Sequence, residues 1–168
     1  MNRYTLAVLV RNQFGVLNRL TSMFRRRQFN ISSITASETE SEKYSRITFS
    51  FDGEENGKQQ LINQLYKLPD VCSIKELTQS NSLSCELMLI KLKNDPVSRN
   101  DIHAAAEAFK AETIDYTKES IVLRIIGDSV KMDDFISLMR DQTILEICRT
   151  GIASIEKGAS TLRQSLNL

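Results

Sequence analysis

The chain has 168 residues, 41% hydrophobic and 26% charged, with 22 basic against 21 acidic side chains and a formal net charge of +1. Such a composition predicts a packed core in one ordinary domain or two of about 75–85 residues, and the balanced charge lacks the basic footprint of a nucleic-acid or membrane partner. No apolar run approaches the roughly 18 residues a membrane helix needs, and the N-terminal stretch alternates like a strand without a small-residue cleavage site, so a cytoplasmic protein is expected.

Tyr4–Val10, rich in Leu and Val and followed by a turn signal, predicts a strand. From Gly15 the period changes: Val16, Leu20, Met23, Phe24 and Arg27 fall at helical spacing, and Leu17 widens the same stripe. Arg25-Arg26-Arg27 lies in the last turn, where cations favour the negative end of the helix dipole. Phe29–Ser37 returns to strand character, and Ile47, Phe49 and Phe51 alternate with polar neighbours as a half-buried strand does. Leu61, Ile62, Leu65 and Leu68 mark an amphipathic helix stopped by Pro69, and Val71–Leu77 is a last strand. The order β-α-β-β-α-β in under 80 residues is the ferredoxin-like plan.

Thr78–Ser82 is polar throughout and is the best domain boundary in the chain. The order then repeats. Leu83–Leu92 is a strand with Met88, Ile90 and Leu92 on one face and Leu87 and Leu89 on the other. Ser98 is positioned to cap a helix carrying Ile102, Ala105, Ala106 and Phe109. Thr113–Tyr116 and Ile121–Ile126 read as paired strands. Ser129 is positioned to cap a helix with Met132, Phe135, Ile136 and Met139, and Ile144–Thr150 closes the set. The expected fold class is α+β: two ferredoxin-like βαββαβ domains in tandem, residues 1–78 and 83–157, with a loose polar tail over 158–168.

Catalytic machinery is hard to find. HExxH, GxSxG, GxxxxGK[ST] and GxGxxG are all absent. Glu54-Glu55 and Asp133-Asp134 read as first-turn acids that favour the positive dipole end, and adjacent residues do not converge on a substrate. Cys72, Cys85 and Cys148 form no CxxC pair. Cys72 and Cys148 sit among apolar strand residues, where a free thiol acts as a small hydrophobe. His103 has no second ligand at metal spacing and reads as a surface residue. Neither a catalytic nor a metal site is expected; this is the sequence of a binding or regulatory protein.

The informative stretch is Asn12–Leu17. A strand-to-helix loop presents backbone N–H groups with no intrahelical partner, and with the helix dipole these suit a small carboxylate. Gly15 lets a ligand approach the backbone, and Asn12 and Asn30 both donate and accept hydrogen bonds. Phe14, Val16, Leu17 and Ile31 are placed to surround an aliphatic tail. Together they suit a free amino acid. A purely structural reading stands beside this one: Asn12 a turn residue, Gly15 a helix-start requirement, and Phe14 a staple on the core.

LAVLVRNQFGVLNRLTSMFRRRQFNISSITASETE resembles the opening of ACT domains, and more specifically the regulatory (small) subunit of acetohydroxyacid synthase, also called acetolactate synthase. The resemblance rests on N-x-x-G-V-L-x-R and F-x-x-R-x-F-N-I-x-S-I-T, then on SRITFSF, Q-L-x-K-L-x-D-V and E-L-M-L-I-K-L. AFKAETIDYTKESIVLRIIGDSVKMDDFISLMR and ILEICRTGIASIEKG extend it over nearly the whole chain. Two departures are Phe14, where a small residue is usual, and Gln28 before Phe29-Asn30, where a glycine is common.

The resemblance implies an N-terminal ACT domain and a non-catalytic partner of a large subunit. That large subunit would carry thiamine diphosphate, FAD and magnesium, with no cofactor on this chain. It further implies that the chain activates the catalytic subunit and transmits feedback inhibition by valine, in some members also leucine or isoleucine. The effector role carries onto Asn12, Phe14, Gly15, Val16 and Leu17, with Asn30 and Ile31 contributed by the opposing protomer of an ACT-linked homodimer. The alternatives are an ACT-type amino-acid-binding regulator of another enzyme, an RNA-binding ferredoxin-like protein using Phe49 and Phe51, and, last, a self-sufficient enzyme.

Overall fold

The computed structural model describes residues 2–166; residue 1 of the first expected domain and residues 167 and 168 of the expected tail lie outside the described residues. Alternation along β1 (Asn2–Arg11) builds the first half. Tyr4, Leu6, Val8 and Val10 enter a core on one face, while Ala7 and Leu9 point to the other. The first face is covered by α1 (Val16–Arg26) through Val16, Leu20 and Phe24, and by α2 (Glu55–Leu65) through Leu61 and Leu65. Beside β1 run β2 (Ile31–Glu38), β3 (Tyr44–Gly53) and β4 (Val71–Leu77), in the antiparallel order β2-β3-β1-β4. Phe49 and Phe51 are fully buried against Phe24, with ring centroids 4.6 and 5.5 Å away, so neither offers a face for stacking a base. Gly53 and Gly57 make room for the Phe29 ring, which a Cβ at either position would approach within 2.6 or 2.9 Å.

The second half repeats the plan with β5 (Ser82–Lys93), α3 (Arg99–Ala108), β6 (Glu112–Tyr116), β7 (Ser120–Gly127), α4 (Ser129–Leu138) and β8 (Ile144–Arg149), its sheet ordered β6-β7-β5-β8. Met88, Ile90, Leu92, Ile102, Leu123, Ile125, Met132 and Phe135 form its core. Glu86 is buried there and takes two hydrogen bonds from Arg149, at 2.7 and 2.8 Å, and a third from Ser129 Oγ at 3.1 Å. These contacts, with Asp133 on the same guanidinium, hold Arg149 firmly charged. The expected α+β architecture of two βαββαβ halves is the one observed.

The compact units divide differently from the sequence reading. One comprises residues up to Ser84 together with those from Ile152 onward; the other is Cys85–Gly151. The stretch expected to close the second domain and trail off as a tail instead forms β9 (Ala153–Glu156) and a 3-10 helix (Leu162–Leu166) in the first unit. Ser154 Oγ donates to Leu83 O, Lys157 N donates to Asn81 O, and Leu162 is buried with Ala7, Leu9 and Leu77. One leucine in a polar segment covers a sheet face that would otherwise be wet.

Local expectations differ in four places. Asp128, not Ser129, caps α4 by accepting from Lys131 N, because Ser129 Oγ is already given to Glu86. Asp133-Asp134 therefore fall past the first turn of α4, where Asp133 serves Arg149. Ser98 makes no side-chain cap; its hydroxyl donates to Asp95 O in the preceding turn. Cys148 is exposed, since the face of β8 it occupies has no helix above it, and Cys85 is exposed too. Among the described residues no helix is long and apolar enough to cross a membrane, and no group of three His, Cys, Asp or Glu side chains is placed to hold a metal ion.

Candidate effector site

The loop between β1 and α1 is held from several sides. Asn12 N donates to Lys43 O at 2.9 Å, and its Nδ2 donates to Glu38 Oε1 at 3.0 Å and to Glu42 O at 3.1 Å. Arg19 reaches back from α1. Its Nε donates to the buried carboxylate of Asp70 at 2.8 Å and its Nη2 to Phe14 O at 3.4 Å, while Arg11 N donates to Asp70 O at 2.9 Å. Gly15 sits at the helix N-cap with φ +78°, a left-handed conformation that disfavours any side chain. It therefore satisfies a helix-start requirement.

With glycine at the cap, α1 has no side-chain cap and no acid in its first turn. Val16 N donates only at 3.4 Å, to Gln13 O, and no side chain answers the leading amides or the positive dipole end. Directly beside them lies a cavity of about 220 Å³ lined by Val10, Arg11, Asn12, Gln13, Val16, Leu17 and, across the sheet edge, Ala36, Ser37, Glu38, Ser45 and Ile47. The lining combines hydrocarbon from Val10, Val16, Leu17 and Ile47 with the acid Glu38, and it adjoins the start of α1.

Of the residues expected from sequence, Asn12, Val16 and Leu17 come together at this cavity, and Gly15 shapes the turn next to it. Phe14 does neither job proposed for it. It is 103% exposed at the tip of the loop, so it does not staple α1 to the core and does not line the cavity. Asn30 and Ile31 lie at the other end of β2 from Ala36–Glu38, some seven residues or about 23 Å along the strand. Sequence reasoning missed Glu38, Ala36, Ser37, Ser45 and Ile47, which arrive through the β2–β3 register, and the Arg19–Asp70 ion pair that props the loop. Near the loop, burial pushes the thiol of Cys72 above its usual range.

A four-stranded antiparallel βαββαβ sheet whose first helix starts uncapped over a small cavity defines an ACT-type module of ferredoxin-like fold. Comparison with known proteins agrees: residues 6–73 match the AHAS small subunit-like ACT domain, and residues 85–158 match the small subunit of acetolactate synthase. The chain is 39% identical over 154 residues to the acetolactate synthase small subunit of Bacillus subtilis, covering 91% of this chain and 90% of that one. It is 33% identical over 162 residues to the acetolactate synthase isozyme 3 small subunit of Escherichia coli, covering 96% and 99%. The crystal structure of the acetolactate synthase small subunit from Thermotoga maritima superposes with a TM-score of 0.85 at 31% identity, covering 95% of this chain and all of that one. The chain belongs to the family of acetolactate synthase small subunits, the regulatory and not the catalytic kind.

Proposed function

We propose that this chain activates the catalytic subunit of acetolactate synthase and makes it responsive to branched-chain amino acids, valine foremost, by binding the amino acid between the ACT modules of a homodimer. The observation that carries the reading is the split of the expected site along β2. Asn12–Leu17 stand at its Glu38 end and Asn30–Ile31 at its start. β2 is the outer strand of its sheet. Pairing two β2 edges antiparallel about a two-fold axis sets the Asn30 end of one protomer beside the Glu38 end of the other, and covers both edges at once.

In such a site the effector's carboxylate meets the leading amides of α1. Its ammonium faces Glu38, held in place by Asn12. Its branched side chain rests on Val16, Leu17 and the partner protomer's copy of Ile31. An effector shifts an equilibrium only by its differential affinity, so valine favours the dimer arrangement in which these two ends are closest. Thiamine diphosphate, FAD and magnesium belong to the catalytic partner, and the assembly works in the cytoplasm.

The test is calorimetric titration of the purified chain with valine, leucine and isoleucine, repeated with Asn12→Ala and with Gly15→Asp. Saturable valine binding weakened about tenfold or more in both variants is expected, since the second substitution would set a new carboxylate against the ligand's own. Equal affinity across the three proteins would refute the site.

A further inference from the structure

A second cavity lies on the opposite face of the first sheet. It measures about 390 Å³ and is lined by Leu9, Ser37–Glu40, Arg46, Ile155, Thr161, Leu162 and Arg163. That volume falls within the range of about 300–1,000 Å³ typical of small-molecule sites, whereas the cavity by α1, about 220 Å³, and one on the second sheet, about 180 Å³, do not reach it. The β-ladders explain its make-up. Arg46 stands opposite Leu9 on β1 and Ser37 on β2, so all three share the outer face. Glu38, one residue on, turns its carboxylate to the helix face and Asn12.

The cavity is lined by two acids, Glu38 and Glu40, and two bases, Arg46 and Arg163, but they do not pair two by two. Arg163 is paired with Glu40 at 2.6 Å, and its guanidinium lies 5.9 Å from the centre of the Tyr44 ring. Arg46 is half-buried and donates to the main-chain oxygen of Ser154, and among the described residues it makes no ion pair. Burial works against its charge, with Glu156 acting in the opposite sense from a distance. Glu156 itself is engaged by Lys75 at 3.4 Å and Ser160 at 3.1 Å. A guanidinium offers five N–H donors in a fork that matches a carboxylate, and one main-chain carbonyl cannot fill it. The remaining walls, Leu9, Ile155 and Leu162, are hydrocarbon.

We propose that this cavity is a second small-molecule site, distinct from the effector site by α1. It takes a short-chain organic carboxylate whose acid group meets Arg46 and whose aliphatic chain lies on Leu9, Ile155 and Leu162. The ligand is a monoanion: Arg46 is the one lining guanidinium with no carboxylate partner among the described residues, a dianion would also meet the negative charge of the lining acids Glu38 and Glu40, and the apolar walls give an inorganic ion nothing to rest on. Because Ile155, Thr161 and Leu162 belong to the C-terminal segment, occupancy also clasps that segment to the sheet. The proposal does not depend on the valine reading.

The experiment is titration of the full chain with sodium hexanoate by calorimetry, with inorganic phosphate as the comparison anion. It is paired with methyl NMR of Leu9 and Leu162. Hexanoate is expected to bind saturably, to shift both leucine methyls, and to bind at least about tenfold more tightly than phosphate. Arg46→Met is expected to weaken binding by at least about tenfold. Thr161→Phe, which adds bulk to the wall and leaves Arg46 in place, should do the same, and Gly15→Asp should leave hexanoate affinity unchanged within about twofold. Absence of saturable binding to the unmodified chain overturns the proposal. So does phosphate binding as tightly as hexanoate, which marks an adventitious anion, full affinity in Thr161→Phe, or loss of binding in Gly15→Asp, which places hexanoate in the effector site.

Discussion

The β1–α1 loop and the β5–α3 loop occupy the same place in the repeated βαββαβ order, yet they treat their polar groups differently. In the second unit Asn94 is buried. Its side chain donates to Thr117 O and accepts from Arg99 Nε at 2.8 Å, and its N–H donates to Glu119 O. Asp95 closes the turn by accepting from Val97 N at 3.0 Å, and α3 carries Asp101 in its first turn. The asparagine of that loop is thus answered from within on both its side chain and its main chain. In the first unit the asparagine is exposed, the cap is a left-handed glycine, and the first turn of α1 holds no acid. Neither helix has a side-chain cap, but α3 has Asp101 to answer its dipole, whereas α1 starts beside a cavity with no acid in its first turn, which is where the proposed effector's carboxylate would sit.

Substitutions can break or sharpen that contrast. The largest effect is expected in the scaffold unit. Arg149→Met leaves the Glu86 carboxylate buried without its bidentate partner, and a loss of about 3–5 kcal/mol is expected in denaturant unfolding, with valine binding by the remaining folded protein unchanged. Leu162→Ala removes the apolar cover from Ala7, Leu9 and Leu77. A loss of about 2–3 kcal/mol confined to the first unit, visible as faster hydrogen exchange in β1 and β4, is the expected outcome.

The two asparagines then give the direct contrast. Asn94→Ala should cost about 1–3 kcal/mol and leave effector affinity alone, since it strands buried partners. Asn12→Ala, at an exposed position, should cost under about 1 kcal/mol yet weaken valine binding. Reversal of that pattern in paired unfolding and titration experiments would make the first loop scaffold as well.

The smallest effect is electrostatic. The Arg163 hydrogen bond holds the Glu40 carboxyl below its ordinary range. A depressed carboxylate contributes its stabilisation above the unfolded value, about 4.3, and loses it as pH falls through the folded value. The C-terminal segment should therefore loosen only on the acid side, with the Leu162 methyl resonances moving below about pH 4 and staying constant from about 5 to 8.

Much of the fold is legible in the sequence. Period-2 runs such as Tyr4–Val10 and the stripe Val16, Leu20, Phe24 fix the face each element buries, so both βαββαβ units follow from local pattern. The proposed effector loop, Asn12–Leu17, stands out in the sequence because a glycine at a helix start with no acid in the following turn is a local feature. Glu38, Ser45 and Ile47 do not, because strand register decides what stands across from what and no local signal encodes it. The return of residues 152–166 to the first unit is hidden in the same way: its anchors are long-range pairings, Ser154 with Leu83 and Lys157 with Asn81, and one leucine in a polar stretch. Cutting the chain after Ser84 is therefore no clean test of the ACT module, since it strips Leu162 from the sheet.

The shared-site claim has one direct test: valine titration of a mixed dimer purified with one Gly15→Asp chain and one Ile31→Arg chain. In that dimer one site carries both substitutions and the other carries neither. Each parent homodimer should fail to bind valine, and the mixed dimer should bind with unmodified affinity at one site per dimer. A mixed dimer that binds no better than its parents would contradict an effector site built from both protomers.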